Sequence, residues 1–371
     1  MPNNYQKSTV RTQPTVRTQQ LNDFLSITVK ERASDLHLSP GHPPVLRIGG
    51  TLVPLVKKKV LSPKDTEGLA KALMSAELWQ RFLEVKEIDF SYNFAQSSRF
   101  RVNVFFQKGT VSCALRLIPG QIQTIEELNL PPVLHEFTKA EQGFVLITGP
   151  SSHGKSTTLA ALIDEINHQK PVHIITIEDP IEYFFEDDRA IIDQREVGFD
   201  TLSFAKALRS TFRQDPDVIM VGEMRDAETI ATAITAAETG HLVFSTLHTN
   251  DAAQTIHRIV DSFPPAQQSQ IRAQLSGSLL GIISQRLLPR IKGGLIPACE
   301  ILFSTAAVGN LIRENKIHEI PMIIETSAEA GMITLNKALA NLVRAKEITM
   351  RSALEYSLNP IELRKLIGRL G

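Results

Sequence analysis

Residues 143–166 restrict the fold more than any other segment, because the apolar run GFVLIT passes directly into GPSSHGKST and then into the helical pattern TTLAALIDEI. A strand, a glycine-bracketed loop and a helix in that order make the first half of a parallel β-α-β unit. Gly149 to Ser156 fits GxxxxGKS, a loop whose main-chain N–H groups converge at the start of a helix, where the positive end of the helix dipole meets phosphate oxygens. Nucleotide contacts are therefore expected from Gly149, Pro150, Ser151, Ser152, His153, Gly154, Lys155, Ser156 and Thr157. Lys155 is expected on the β/γ-phosphates of ATP and Ser156 on Mg2+. Ser152 and His153 stand where small, flexible residues are usual. Ser152 then needs a backbone conformation open to L-residues, and His153 a ring that faces out of the cradle.

Three more apolar runs of strand length, HIITIE, DVIMVG and HLVFST, each end in a polar cluster, and most lead into a helical stretch. This spacing predicts an α/β domain, a parallel sheet with helices on its faces, over residues 133–371, with the pattern mostly helical beyond Pro297. Ahead of it, residues 21–118 alternate short strands with a helix opened by Ser62-Pro63, a small α+β domain. Residues 119–132, with prolines at 119, 131 and 132, form the expected linker. Residues 1–20, which repeat TVRTQ, are polar enough to be a disordered tail.

Composition narrows the function. Lys plus Arg and Asp plus Glu are each 40, so no global basic excess points to nucleic acid, and with aromatics at 6% a strand-binding translocase is disfavoured. The two cysteines, Cys113 and Cys299, lie far apart and form no zinc or disulfide spacing, which fits a reducing cytoplasm. Apolar runs such as LSGSLLGII are too short to span a bilayer, so membrane association is expected only through a partner.

Hydrolysis needs acids beside the loop. Glu178 in IITIEDPIEY and Glu223 in DVIMVGEMRD both close predicted parallel strands, where ligand crevices form. Both are catalytic candidates, Glu223 also a metal one, and which of the two is the general base stays open. Their bland alternatives are a strand-end turn acid beside Pro180 and a surface acid paired with Arg225. His241 and His248 bracket the run HLVFST, and His248 is the candidate sensor of nucleotide state. Arg101 and Arg116 lie on adjacent predicted strands of the small domain, candidates for charge delivered to the γ-phosphate from another domain or subunit.

SDLHLSPGHPPVLRIGG, the phosphate loop, TIEDPIEY, RQDPDVIMVGEMRDAET, TGHLVFSTLHTNDA, QRLLP and NLIRE, in that order, resemble the bacterial secretion ATPase superfamily, most closely its PilT/PilU-type twitching-motility ATPases. The resemblance implies a PAS-like N-terminal domain, a RecA-like ATPase domain and a homohexameric ring. It also implies docking on an inner-membrane pilus platform protein from the cytoplasmic side, with ATP hydrolysis powering type IV pilus retraction. It assigns Glu178 to an Asp box, Glu223 to Walker B, His241 and His248 to a His box, and Arg101 and Arg116 to arginines reaching the nucleotide from the N-terminal domain. The chain departs from that pattern at Ser152, at His153 and at Gly309, where AVGNLIRE replaces AIRNLIRE. An accessory PilU-like paralogue with reduced autonomous activity is the alternative. A pilus-assembly or type II secretion ATPase is the weaker one, because two isolated cysteines cannot build a four-cysteine zinc module.

Overall fold

The computed structural model describes residues 16–31, 33–94, 98–118 and 120–368. The chain divides into two units at Gly120. The expected tail over residues 1–15 lies outside the described residues, but residues 16–20 are helical: α1 (Val16–Lys30) buries Leu21, Phe24 and Leu25, and that apolar stripe pins the helix to the first core.

In the first unit β1 (Asp35–Leu38), β2 (Val45–Ile48) and β3 (Thr51–Pro54) are followed by α2 (Pro63–Leu73) and α3 (Ala76–Val85). β4 (Glu87–Phe94), β5 (Ser98–Gln107) and β6 (Thr110–Ile118) complete an antiparallel sheet of order β3-β2-β1-β6-β5-β4. The expected helix start at Ser62-Pro63 is a capping box. Asp65 N–H donates to Ser62 Oγ at 3.2 Å, Ser62 N–H donates to Asp65 Oδ2 at 2.9 Å, and Pro63 takes the first-turn position where no N–H is needed.

The second unit begins with Ile125 and Leu130 buried in its core, so much of the expected linker packs as part of this unit. α4 (His135–Lys139), β7 (Gly143–Thr148), α5 (Lys155–Gln169), β8 (His173–Glu178), β9 (Ile191–Glu196) and α6 (Phe204–Thr211) come first. β10 (Val218–Val221), α7 (Ala227–Glu238), β11 (Leu242–Leu247), α8 (Ala252–Asp261) and α9 (Pro265–Ser278) follow. β12 (Leu279–Pro289) and β13 (Leu295–Phe303) pair as a hairpin, and α10 (Ala306–Arg313), α11 (Ile320–Thr326), α12 (Leu335–Arg344), α13 (Met350–Tyr356) and α14 (Pro360–Gly368) close the chain. The helical part thus begins at α10 rather than at Pro297, because residues 295–303 pair with β12.

The seven strands run β13-β12-β7-β11-β10-β8-β9, parallel except for the β12/β13 pair. Both faces are covered, which is why the central strands read as unbroken apolar runs. Period two divides β7 between the layers: Phe144 and Leu146 enter the core under α7 and α8, whereas Val145 and Ile147 enter the core under α5. Parallel pairing brings the ends of β7, β8, β10 and β11 to one edge of the sheet.

Candidate functional site

The loop from β7 to α5 is shaped by what lies beneath it. Gly149 has φ +145°, and a Cβ there would come within 2.4 Å of the Gln285 carbonyl oxygen, so only glycine fits. Ser152 has φ +64°, inside the left-handed region that a small polar residue tolerates, which meets the condition its identity imposed. The His153 ring is turned to the end of β12: Leu287 N–H donates to its Nδ1 at 2.9 Å, and Tyr356 of α13 lies beside it with ring centroids 6.1 Å apart. Gln285 holds the same loop from below, donating Nε2–H to the His153 carbonyl at 2.8 Å and accepting from Thr158 Oγ at 2.7 Å. Burial, then the charges of Arg286 and Lys155, keep the His153 pKa below its ordinary value.

Lys155 opens α5 and is almost wholly buried. Its Nζ donates to the carbonyls of Gly149 and Pro150, both at 2.9 Å, and lies 3.4 Å from His248 Nδ1. Burial depresses its pKa, while the charges of Glu182 and Glu223 oppose that shift. Lys155 is therefore the positive centre of a group of two acids and a histidine.

Glu223 follows β10, ion-paired with Arg225 and 3.8 Å from His248 Nε2. The pairing considered as its bland alternative is present, and the carboxylate still reaches the site. Burial and Lys155 together lower the His248 pKa, and Glu223 works against them.

Glu178 does something else. Its carboxylate is buried toward β9, where Oε1 accepts from Thr176 Oγ at 2.7 Å and Gln194 Nε2 at 3.1 Å, and Oε2 accepts from Glu182 N–H at 3.3 Å. Burial pushes its pKa up to about 7. It braces the loop that carries Glu182, and with Glu178 turned to β9 it is Glu182 whose charge acts on Lys155. That loop is also tied to α5 by Tyr183 OH and Thr157 Oγ1, 2.8 Å apart. Nothing in TIEDPIEY distinguishes the two glutamates; the polar side chains of β9 do.

His241, at the other end of β11, hydrogen-bonds the Ala236 carbonyl at 2.9 Å and meets Phe212 edge-on, a structural role away from the loop. Arg101 and Arg116 sit directly opposite each other on β5 and β6 in the first unit. Arg116 Nε donates to Asp35 Oδ1 at 3.0 Å, and Arg101 lies 3.9 Å from Asp89.

Among the described residues no group of three or more His, Cys, Asp or Glu forms a protein-only metal cage. Ser156, beside Lys155 on the first turn of α5, with one carboxylate and phosphate oxygens, suits Mg2+, which keeps waters and leans on its nucleotide. The N–H groups at the start of α5, the Lys155 cation and the glycine-only approach at Gly149 form a cradle for a polyphosphate.

Residues 11–352 match the family model described as Type II/IV secretion system protein. The chain is 45% identical over 340 residues to the type IV pilus retraction ATPase PilT of Pseudomonas aeruginosa, covering 92% of this chain and 98% of that one. It is 40% identical over 345 residues to the type IV pilus ATPase PilU of the same organism, covering 93% and 90%. Among solved structures, the pilus retraction motor PilT with bound ADP superposes with a TM-score of 0.88 at 48% identity, covering 93% of this chain and 98% of that one.

Proposed function

The chain belongs to the Type II/IV secretion system protein family and is an ATPase, and from that premise we propose that it is a ring-forming motor whose ATP hydrolysis retracts a type IV pilus. One observation carries the reading: Lys155 and His248, with the charges of Glu182 and Glu223 acting on that lysine, gather at the start of α5, where a γ-phosphate would lie. The main-chain N–H groups of residues 151–156 bind the phosphates, and Lys155 leaves the Gly149 and Pro150 carbonyls to meet them. Glu223 orients the attacking water and accepts its proton, and Arg225 keeps that carboxylate in place. His248, between Lys155 and Glu223, moves with the γ-phosphate and passes its presence to the loop behind it. Ser156 and Glu223 are the residues that would hold Mg2+, which would supply neutralisation of the phosphate charge when bound.

The first unit is PAS-like and the second RecA-like, assembled as a homohexamer on the cytoplasmic face of the inner membrane, against the pilus platform protein. No helix among the described residues is long and apolar enough to cross a membrane. Arg101 and Arg116, paired on neighbouring strands, act on nucleotide across protomers. An accessory, PilU-like role is the second reading, and Gly309 favours it: the arginine of the AIRNLIRE pattern is absent there, and a Cβ at that position would meet the Ser276 carbonyl at 3.2 Å, so a side chain would need α9 and α10 to part by a few tenths of an ångström.

Phosphate release by the purified protein, with Lys155→Ala as control, tests the enzyme. Complementation of a strain lacking its retraction ATPase tests the motor. Turnover without complementation assigns the accessory role, and turnover that survives Lys155→Ala removes the proposal. Rings mixed from Arg101→Ala and Lys155→Ala subunits recover activity if the arginine acts across protomers; verified mixed rings with none overturn that part.

A further inference from the structure

His248 is weakly held by its own side chain. It lies 3.4 Å from Lys155 Nζ and 3.8 Å from Glu223, longer than strong hydrogen bonds, and its imidazole is about half exposed. Its place must be set by the backbone of the loop running from β11 to α8, and that loop is gripped from two strands distant in sequence. Arg286 on β12 donates from Nη2 to the Asn250 carbonyl at 3.0 Å and to Asn250 Oδ1 at 2.9 Å. Glu300 on β13 accepts the N–H of Ala252, the first residue of α8, at 2.8 Å.

Arg286 is buried and Glu300 is partly buried, and burial of a charge is costly unless hydrogen bonds offset it. Arg286 is 6% exposed, and its guanidinium makes its bonds to oxygens of this loop and of its own strand. Its Nη1 donates to the Gln285 carbonyl at 3.1 Å, the same oxygen against which Gly149 packs. One arginine therefore touches both the histidine loop and the strand position that props the phosphate loop.

We infer that Arg286 and Glu300 are positioning residues that hold His248 in register with Lys155 and Glu223, so that the histidine loop and the phosphate loop respond to nucleotide together. The inference rests on the proposed role of His248. Neither residue touches the phosphate cradle through its side chain, so nucleotide affinity is nearly unchanged when either is altered, while turnover falls.

The test is a double-mutant cycle on the full-length protein. kcat and KM for ATP are measured, and the Kd of a fluorescent ATP analogue is titrated, for Arg286→Ala, His248→Ala and the double variant. Misplacing a reacting group by about an ångström costs on the order of 100-fold, so Arg286→Ala is expected to lower kcat about 10- to 100-fold with Kd changed less than about threefold. The double variant is expected to be no slower than His248→Ala alone, because the arginine acts through the histidine. Asn250→Ala, an exposed change that removes only one of the two acceptors, serves if Arg286→Ala does not fold, with a smaller fall in kcat and the same non-additivity. Full additivity, or a loss of affinity that matches the loss of turnover, overturns the inference. A His248→Ala protein with normal kcat removes the role it rests on, an outcome distinct from additivity.

Discussion

Replacing His153 by serine separates a ring that supports the phosphate loop from one that binds nucleotide. The substitution removes the acceptor of the Leu287 N–H, a 2.9 Å bond, and the ring beside Tyr356. Leaving a partly buried donor unpaired costs about 1–3 kcal/mol, less where water reaches it, and the aromatic pair adds about 0.5–1 kcal/mol. A loss near 2 kcal/mol lowers the melting temperature of a unit this size by about 4–8 °C. The cradle itself persists, because the His153 carbonyl remains bonded to Gln285 Nε2 and the phosphate ligands are main-chain groups. ATP affinity at pH 7.5 is therefore expected to change less than about tenfold, or about 1.4 kcal/mol. The pH dependence has a definite sign. The folded-state pKa of His153 lies below its ordinary value, so the ring contributes stability at neutral pH that is lost as pH falls below about 6.5, when Nδ1 must surrender its acceptor role. The difference in melting temperature between wild type and variant consequently shrinks from pH 7.5 to pH 6. Calorimetry and titration of a fluorescent ATP analogue at both pH values measure all of this. An affinity loss well beyond tenfold at pH 7.5 would make the ring a nucleotide ligand, and an unchanged melting temperature would refute its hold on β12.

Three further outcomes are expected. Glu223→Gln keeps the shape of the site and removes its base, so the variant retains ATP binding in nucleotide titration and loses turnover by about 100-fold or more; wild-type phosphate release would clear Glu223 of that role. Glu178 has a folded-state pKa of about 7 against an ordinary 4.5, so folding takes up a proton between those values and stability falls as pH rises through about 7, by up to about 3 kcal/mol. Wild type should lose more melting temperature from pH 5 to pH 8 than Glu178→Gln does, and parallel curves would show that the carboxyl is not so perturbed. Gly149→Ala drives a methyl against the Gln285 carbonyl at 2.4 Å and forces a glycine-only φ on alanine, for about 2–4 kcal/mol of destabilisation read by thermal melting.

The parts of the site legible in the chain are those that local rules produce. GFVLIT followed by GPSSHGKST needs only a buried strand, a loop of converging N–H groups and a helix start, so the place of Lys155 at the head of α5 follows from residues adjacent in sequence. The ends of DVIMVG and HLVFST come to the same edge because parallel strands in one sheet must align their ends, and Glu223 and His248 are legible for that reason. Alternating patterns also marked the strands of the first unit, and the Ser62 cap marked its helix. The roles of Glu178 and Glu182 cannot be assigned so, since the two lie four positions apart in one motif and the decision belongs to Gln194, sixteen positions beyond Glu178 and brought beside it only by the β8/β9 pairing. Residues 191–196 are too polar to announce a buried-sheet strand, and residues 279–289 and 295–303 become a hairpin only because β12 finds the free edge of β7. Gln285, Arg286 and Glu300 acquire their meaning from that pairing. Hydrogen bonds between side chains and loops more than thirty residues apart leave no period in the sequence, because their energy depends on where the backbone has been carried and not on the neighbours each residue was given.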